Sequence, residues 1–166
     1  MPLPSTMTPI ATNTLTSSSA AVTFSNIPQT YTDLVLVVSA TWSGGSNSSF
    51  GFRLNSDTGS NYSITQLYGD GSSAASGRSS NQTKAVIGQI NPTEFGTTIF
   101  QFQNYSNATT YKTTLSRSNV AGAITLAGVA LWRNTAAITR IDLEYFDVAG
   151  TFDTGSTFTL YGIKSA

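Results

Sequence analysis

The order of residues predicts an all-β protein: an antiparallel β-sandwich, jelly-roll-like, with an extended N-terminal arm. Three observations carry that expectation. First, the chain is 39 % hydrophobic and 11 % aromatic, too apolar for a disordered polypeptide. Its Thr, Val, Ile, Tyr and Phe suit a half-buried pleated surface. Second, short alternating runs recur between Gly, Pro, Asn and Ser clusters, at the spacing of a sandwich or barrel. Third, no helix-length amphipathic stretch with caps appears, and no period of repeat-protein length stands out. With 166 residues, one domain with a two-layer core is expected.

Taken in order, Met1 to Ile10 reads as the arm, with Pro2 and Pro4 among small polar residues. Residues 11–166 then form the single sandwich domain. The arm could fray or lie on a neighbouring subunit through Pro2, Leu3, Pro4, Met7 and Ile10. Ala20, Val22 and Phe24 face one way, and Asn26 to Gln29 is a turn. Asp33 to Trp42 (DLVLVVSATW) is nearly continuous apolar and β-branched, which predicts a central strand. Phe50, Phe52 and Leu54 alternate with Gly51, Arg53 and Asn55. Ile64 and Leu67 lie on opposite sides of a run ending at Tyr68. Gly71 to Ser80 reads as a Ser/Gly/Ala loop.

Ala85 and Ile87 share a face opposite Val86. Between Ile99 and Phe100 the apolar parity changes, and a β-bulge there would re-aim the following side chains. Tyr111, Thr113 and Leu115 alternate with Lys112, Thr114 and Ser116. Ala123 to Trp132 is apolar on both faces. It reads as a covered strand approached closely at Gly128, or as a short buried helix. Ile141, Leu143 and Tyr145 alternate with Arg140, Asp142 and Glu144. In Ser156 to Lys164, Phe158 and Leu160 oppose Tyr161 and Ile163. The sum is nine to eleven strands.

Charge limits the functions available. Charged residues are 10 % of the chain and the net charge is zero, against about 25 % charged in an average soluble protein. Eight scattered basic residues make no phosphate-neutralising stripe, so no nucleic-acid partner is expected. No membrane partner is expected either. There is no Cys and no His, which removes disulfides, thiolate metal sites, and the commonest general base and metal ligand. The N-terminus lacks a signal-peptide pattern, so synthesis in a cytoplasm without standard export is expected. The sequons at Asn47, Asn61, Asn81, Asn104 and Asn107 are then unused.

Three constellations could still carry chemistry. Asp142 and Glu144 share a strand face, as a carboxylate pair for glycoside hydrolysis or as a solvated edge with Arg140 beside Asp142. Asp57-x-Gly59-x-Asn61 supplies hard oxygen ligands. It also supplies turn chemistry, with Gly59 and Asn61 tolerating positive φ. Asp70-Gly71 suggests a type I′ turn. Tyr62, Tyr68 and Tyr105, amid Asn, Ser and Gly, could form an adaptable contact surface. No catalytic residue, cofactor or metal is expected.

Three segments carry a resemblance: YTDLVLVVSA (Tyr31 to Ala40), FRLNSDTGSNYSITQLYGDGSS (Phe52 to Ser73) and GSTFTLYGIK (Gly155 to Lys164). They resemble a family of small β-rich virion proteins of tailed bacteriophages, over Ala11 to Lys164. That resemblance implies a structural protein and not an enzyme. It implies a capsid decoration (cement) protein on the capsid exterior, made in the host bacterial cytoplasm. Its partners would be the major capsid protein and itself, as a homotrimer. A tail-fibre module binding host surface glycans is the alternative it implies.

Overall fold

A computed structural model of the chain describes residues 6–145 and 150–164. Twelve strands stand among them: β1 (Met7–Thr14), β2 (Ala21–Phe24), β3 (Asp33–Ala40), β4 (Ser48–Leu54), β5 (Tyr62–Gly69), β6 (Ala74–Gln82), β7 (Ala85–Ile90), β8 (Gly96–Phe102), β9 (Lys112–Val120), β10 (Ile124–Trp132), β11 (Ile141–Tyr145) and β12 (Thr157–Ile163). They form an eight-stranded sheet, ordered β1-β12-β3-β8-β9-β10-β5-β6, and a four-stranded sheet, ordered β2-β11-β4-β7. Every pairing is antiparallel. The chain repeatedly crosses between the sheets, and the result is a jelly-roll-like sandwich.

Period-2 alternation builds the core. Leu34, Leu36, Val38 and Ala40 of β3 point inward, as do Phe158 and Leu160 of β12. From the small sheet, Phe50, Phe52, Leu54, Ile141 and Leu143 meet them. Phe52 lies edge-on to Phe100 and Phe102, with centroids 5.4 and 5.1 Å apart. Phe50 lies edge-on to Phe100 and Phe152 at 5.8 and 5.7 Å. Positive ring edges against negative faces favour this arrangement over a sandwich stack.

Several expectations are corrected. Met7 to Ile10, expected in the arm, belong to the sheet, because Met7 to Thr14 pairs with β12 as an edge strand. Ile10 packs part-buried on the core and Met7 is exposed. Pro2, Leu3 and Pro4 lie outside the described residues. The Gly71 to Ser80 loop is mostly β6, a strand of small residues that composition alone reads as loop. β8 has no bulge: its register with both β3 and β9 is unbroken. Ile99 simply faces outward while Phe100 and Phe102 face in. On β9 the polar set Lys112, Thr114, Ser116 and Ser118 is inside, and Tyr111 and Leu115 are exposed. Ala123 to Trp132 contains strand β10, as its first reading has it, but the strand is not covered on both faces: Thr125 and Ala127 are exposed.

The two sheets differ in width. β7, the last strand of the small sheet, packs over β8, β9, β10 and β5. The hairpin β5–β6 extends past it, and Ala74 to Ser76, Arg78, Ser80 and Asn81 are exposed.

Candidate functional site

The turn-rich stretch after β4 is a structural knot. Leu54 O accepts from Asp57 N at 3.0 Å, and Asn55 and Ser56 between them carry φ of 51° and 57°. Two adjacent left-handed residues define the hairpin-type turn, at Asn55-Ser56 and not at Gly59 or Asn61. Asp57 accepts from Gly59 N at 2.8 Å, Asn61 Nδ2 at 2.8 Å and Trp132 Nε1 at 2.7 Å. Burial pushes its carboxyl up, but these donors outweigh it and hold the group below its ordinary value. With its oxygens so engaged, Asp57 ties the turn to β10 through Trp132. Among the described residues no group of three or more acidic, Cys or His side chains is placed to hold a metal.

Asp70 works similarly. Its Oδ1 accepts from Ser73 N at 2.7 Å and Ser72 N at 2.9 Å, and these bonds lower its carboxyl to about 2. Gly71 alone has positive φ there, so the turn lacks the two left-handed residues of type I′.

Asp142 and Glu144 do share the outer face of β11, each with a cation. Asp142 takes Arg140 Nη2 at 2.7 Å and Thr23 Oγ1 at 2.7 Å. Burial raises the Asp142 carboxyl, and the bonds from Arg140 and Thr23 more than reverse this. Glu144 pairs with Arg53, and Lys84 Nζ lies 3.9 Å away. This is the ion-paired face of an amphipathic strand.

The three tyrosines separate. Tyr62 and Tyr105 are fully buried. Tyr62 OH accepts from Leu54 N at 2.9 Å, and Tyr105 OH donates to Pro28 O. Burial raises both phenols above their ordinary value. Neither can touch a partner, which corrects the expected contact surface. Tyr68 remains 36 % exposed.

What the fold does assemble is the outer face of the large sheet. Register places Thr65, Val129, Leu115, Gln101, Val35 and Tyr161 in one row, on six adjacent strands. The next row is Leu67, Ala127, Arg117, Ile99, Val37 and Thr159. Leu67 is 63 % and Leu115 39 % exposed. Three shallow grooves of about 370, 390 and 470 Å³ run along this face, and Arg117 borders all three. The Arg117 guanidinium forms no hydrogen bond or ion pair with any described residue. The signal was present in Leu115-Ser116-Arg117-Ser118: an apolar and a cationic residue share one parity opposite two serines.

Beneath Arg117, β9 holds the sheets together with hydroxyls. Ser116 Oγ donates to Ile87 O at 2.8 Å, and Ser118 Oγ accepts from Gln89 N at 2.8 Å. The free edge of β7 is thereby satisfied from the opposite sheet. Lys112 is 1 % exposed and its Nζ donates to Thr110 O and Thr135 O at 2.7 and 3.0 Å. Burial lowers its pKa.

No family model matches the chain, and no curated protein matches it. Among solved structures, a Caenorhabditis elegans galectin is 14 % identical, with 87 % of this chain and 94 % of that one covered and a TM-score of 0.34. The alginate lyase Aly36B is 9 % identical, over 92 % and 77 % of the two chains, with a TM-score of 0.37. A toad ovary galectin is 14 % identical over 76 % and 99 %, with a TM-score of 0.19. Likenesses this loose say nothing about activity.

Proposed function

We propose that this chain is a virion structural protein of a tailed bacteriophage, a capsid decoration (cement) protein that works by binding and not by turnover. It docks on the outer capsid lattice through the outer face of its large sheet. One observation supports this reading most: a broad, half-exposed apolar face with an unpaired arginine at its centre. Such a face loses little on desolvation, because few ions must be stripped of water. Burying Leu67, Leu115 and Val129 supplies the apolar gain, and Arg117 selects an acceptor-bearing partner surface. Binding only the assembled shell raises the shell's stability by mass action. The host-glycan reading rests on exposed tyrosines, and Tyr68 is the one of its three that reaches solvent.

Quantitative mass spectrometry of purified particles tests the assignment. Hundreds of copies per particle are expected, whereas a few tens or fewer would place the protein in the tail. Arg117→Glu should abolish attachment to bare capsids while leaving the circular dichroism spectrum unchanged. Undiminished attachment would remove the outer face from the mechanism.

A further inference from the structure

A sheet edge presents unpaired N–H and C=O groups, and folded proteins block such edges by identifiable means. The described residues form two sheets with four edges, and three of these are blocked. β1 carries Pro9, which has no N–H, and its register with β12 shifts between Pro9 and Ala11. β2 is four residues long. β7 has its backbone engaged by Ser116 and Ser118. β6 is different. It is nine residues long, has no proline, and has Arg78 as its single charge. Its irregularity is confined to one end, where Ser80 and left-handed Asn81 stand against Ser63. From Ala74 to Ser79 the pairing with β5 is regular. Among the described residues no strand pairs with its outer edge, and Ala74 to Ser76 and Arg78 are exposed.

We propose that β6 is a self-association edge, pairing antiparallel with β6 of a second copy to join two large sheets into one continuous sheet. The occupant is argued from the strand's own chemistry. Antiparallel pairing of identical strands is closed by a two-fold axis, and the segment is self-complementary about Ser76. In that register Ser76 faces its own counterpart, Ala75 faces Gly77, and Ala74 faces Arg78. The two arginines are therefore never opposed, and all other facing residues are small. Like charges directly opposite would be destabilising; centring on Arg78 would create that clash and run into the bulge. A three-fold ring through edges needs two unlike edges. The second would have to be β1, whose proline and register shift obstruct it. The homotrimer that the resemblance implies thus gives way, at this edge, to a dimer.

Position 76 makes the register testable, because an exposed residue on the axis meets only itself. Sedimentation velocity of the full chain should show a dimer. Ser76→Lys and Ser76→Glu should each weaken it by about tenfold or more, roughly 1.4 kcal/mol, with unchanged circular dichroism. An equimolar mixture of the two variants should restore the dimer as a heterodimer. On wild-type protein, amide exchange at Ala74 to Ser79 should slow as concentration rises, a readout independent of any variant. A wild-type monomer at all soluble concentrations would overturn the proposal. So would a trimer, a dimer indifferent to Ser76→Lys, a mixture that stays monomeric, or exchange at β6 independent of concentration.

Discussion

Follow one row of inward-facing positions across the large sheet. It reads Leu160, Leu36, Phe100, then Ser116, Gly128 and Gln66. In this row the first half of the sheet is held to its partner by apolar burial. The second half, although Tyr62, Ala130 and Trp132 bury apolar surface elsewhere on β5 and β10, is held along this row by hydroxyl-to-backbone bonds and by a glycine that admits Ile87. A Cβ on Gly128 would lie 3.0 Å from both Ile87 Cγ2 and Ser116 Oγ. The same fold layer therefore uses two kinds of adhesion. The difference follows from what lies opposite. Opposite the first half stand Phe50 and Phe52 of β4 and Ile141 and Leu143 of β11, whereas β9 faces a sheet edge with backbone groups to satisfy. A buried backbone group without a partner costs about 1–3 kcal/mol, so serine is the fitting residue there and leucine is not.

The sharpest break of this contrast is Phe100→Ala. Phe100 is fully buried against the rings of Phe50, Phe52 and Phe102, and about 3–5 kcal/mol of stability should be lost in chemical denaturation. Gly128→Val attacks the other half by crowding Ile87, at about 1–3 kcal/mol. Ser118→Ala leaves Gln89 N without its acceptor and should cost about 1–2 kcal/mol, although it removes only one oxygen. If Ser118→Ala proved neutral, the hydroxyl account of the β9–β7 junction would fail.

Alkaline titration probes the buried phenols. Tyr62, Tyr105 and Tyr145 all have pKa values raised by burial. Their contribution is complete below the unfolded value near 10 and is lost as pH rises above it. Lys112 acts oppositely: the cost of burying its charge is present below its lowered pKa and vanishes above about 10.5. Three groups against one give a melting temperature that falls from about pH 10 upward. The smallest effect belongs to the outer face. Leu115→Ser should change stability by no more than about 0.5 kcal/mol, since Leu115 is 39 % exposed, while weakening the capsid attachment proposed above.

The apolar half of the molecule was the legible half. β3, β4, β11 and β12 follow clean alternation, and their inward residues are those the pattern picks. Gly128 was also readable, because an isolated glycine in an apolar run signals close approach. The polar half defeated pattern reading for a physical reason. On β9, hydrophobicity alternates correctly but with the opposite sense, since inward hydroxyls answer a neighbouring backbone that no local window contains. β6 was invisible for a related reason: Ala, Gly and Ser carry little strand propensity, and its place is set by pairing with β5. Tyr62 and Tyr105 looked like surface residues from their polar neighbours in sequence, yet those neighbours build the turns that bury them. The outer face was assembled from six strands, and only the sheet order brings Leu67, Leu115 and Arg117 together.

The serine junction under β7 carries no formal charge. Dissolved ions screen charges and have nothing to weaken there, and neither hydroxyls nor amides titrate across ordinary acidity. A seam built this way should grip equally in brine and in rainwater.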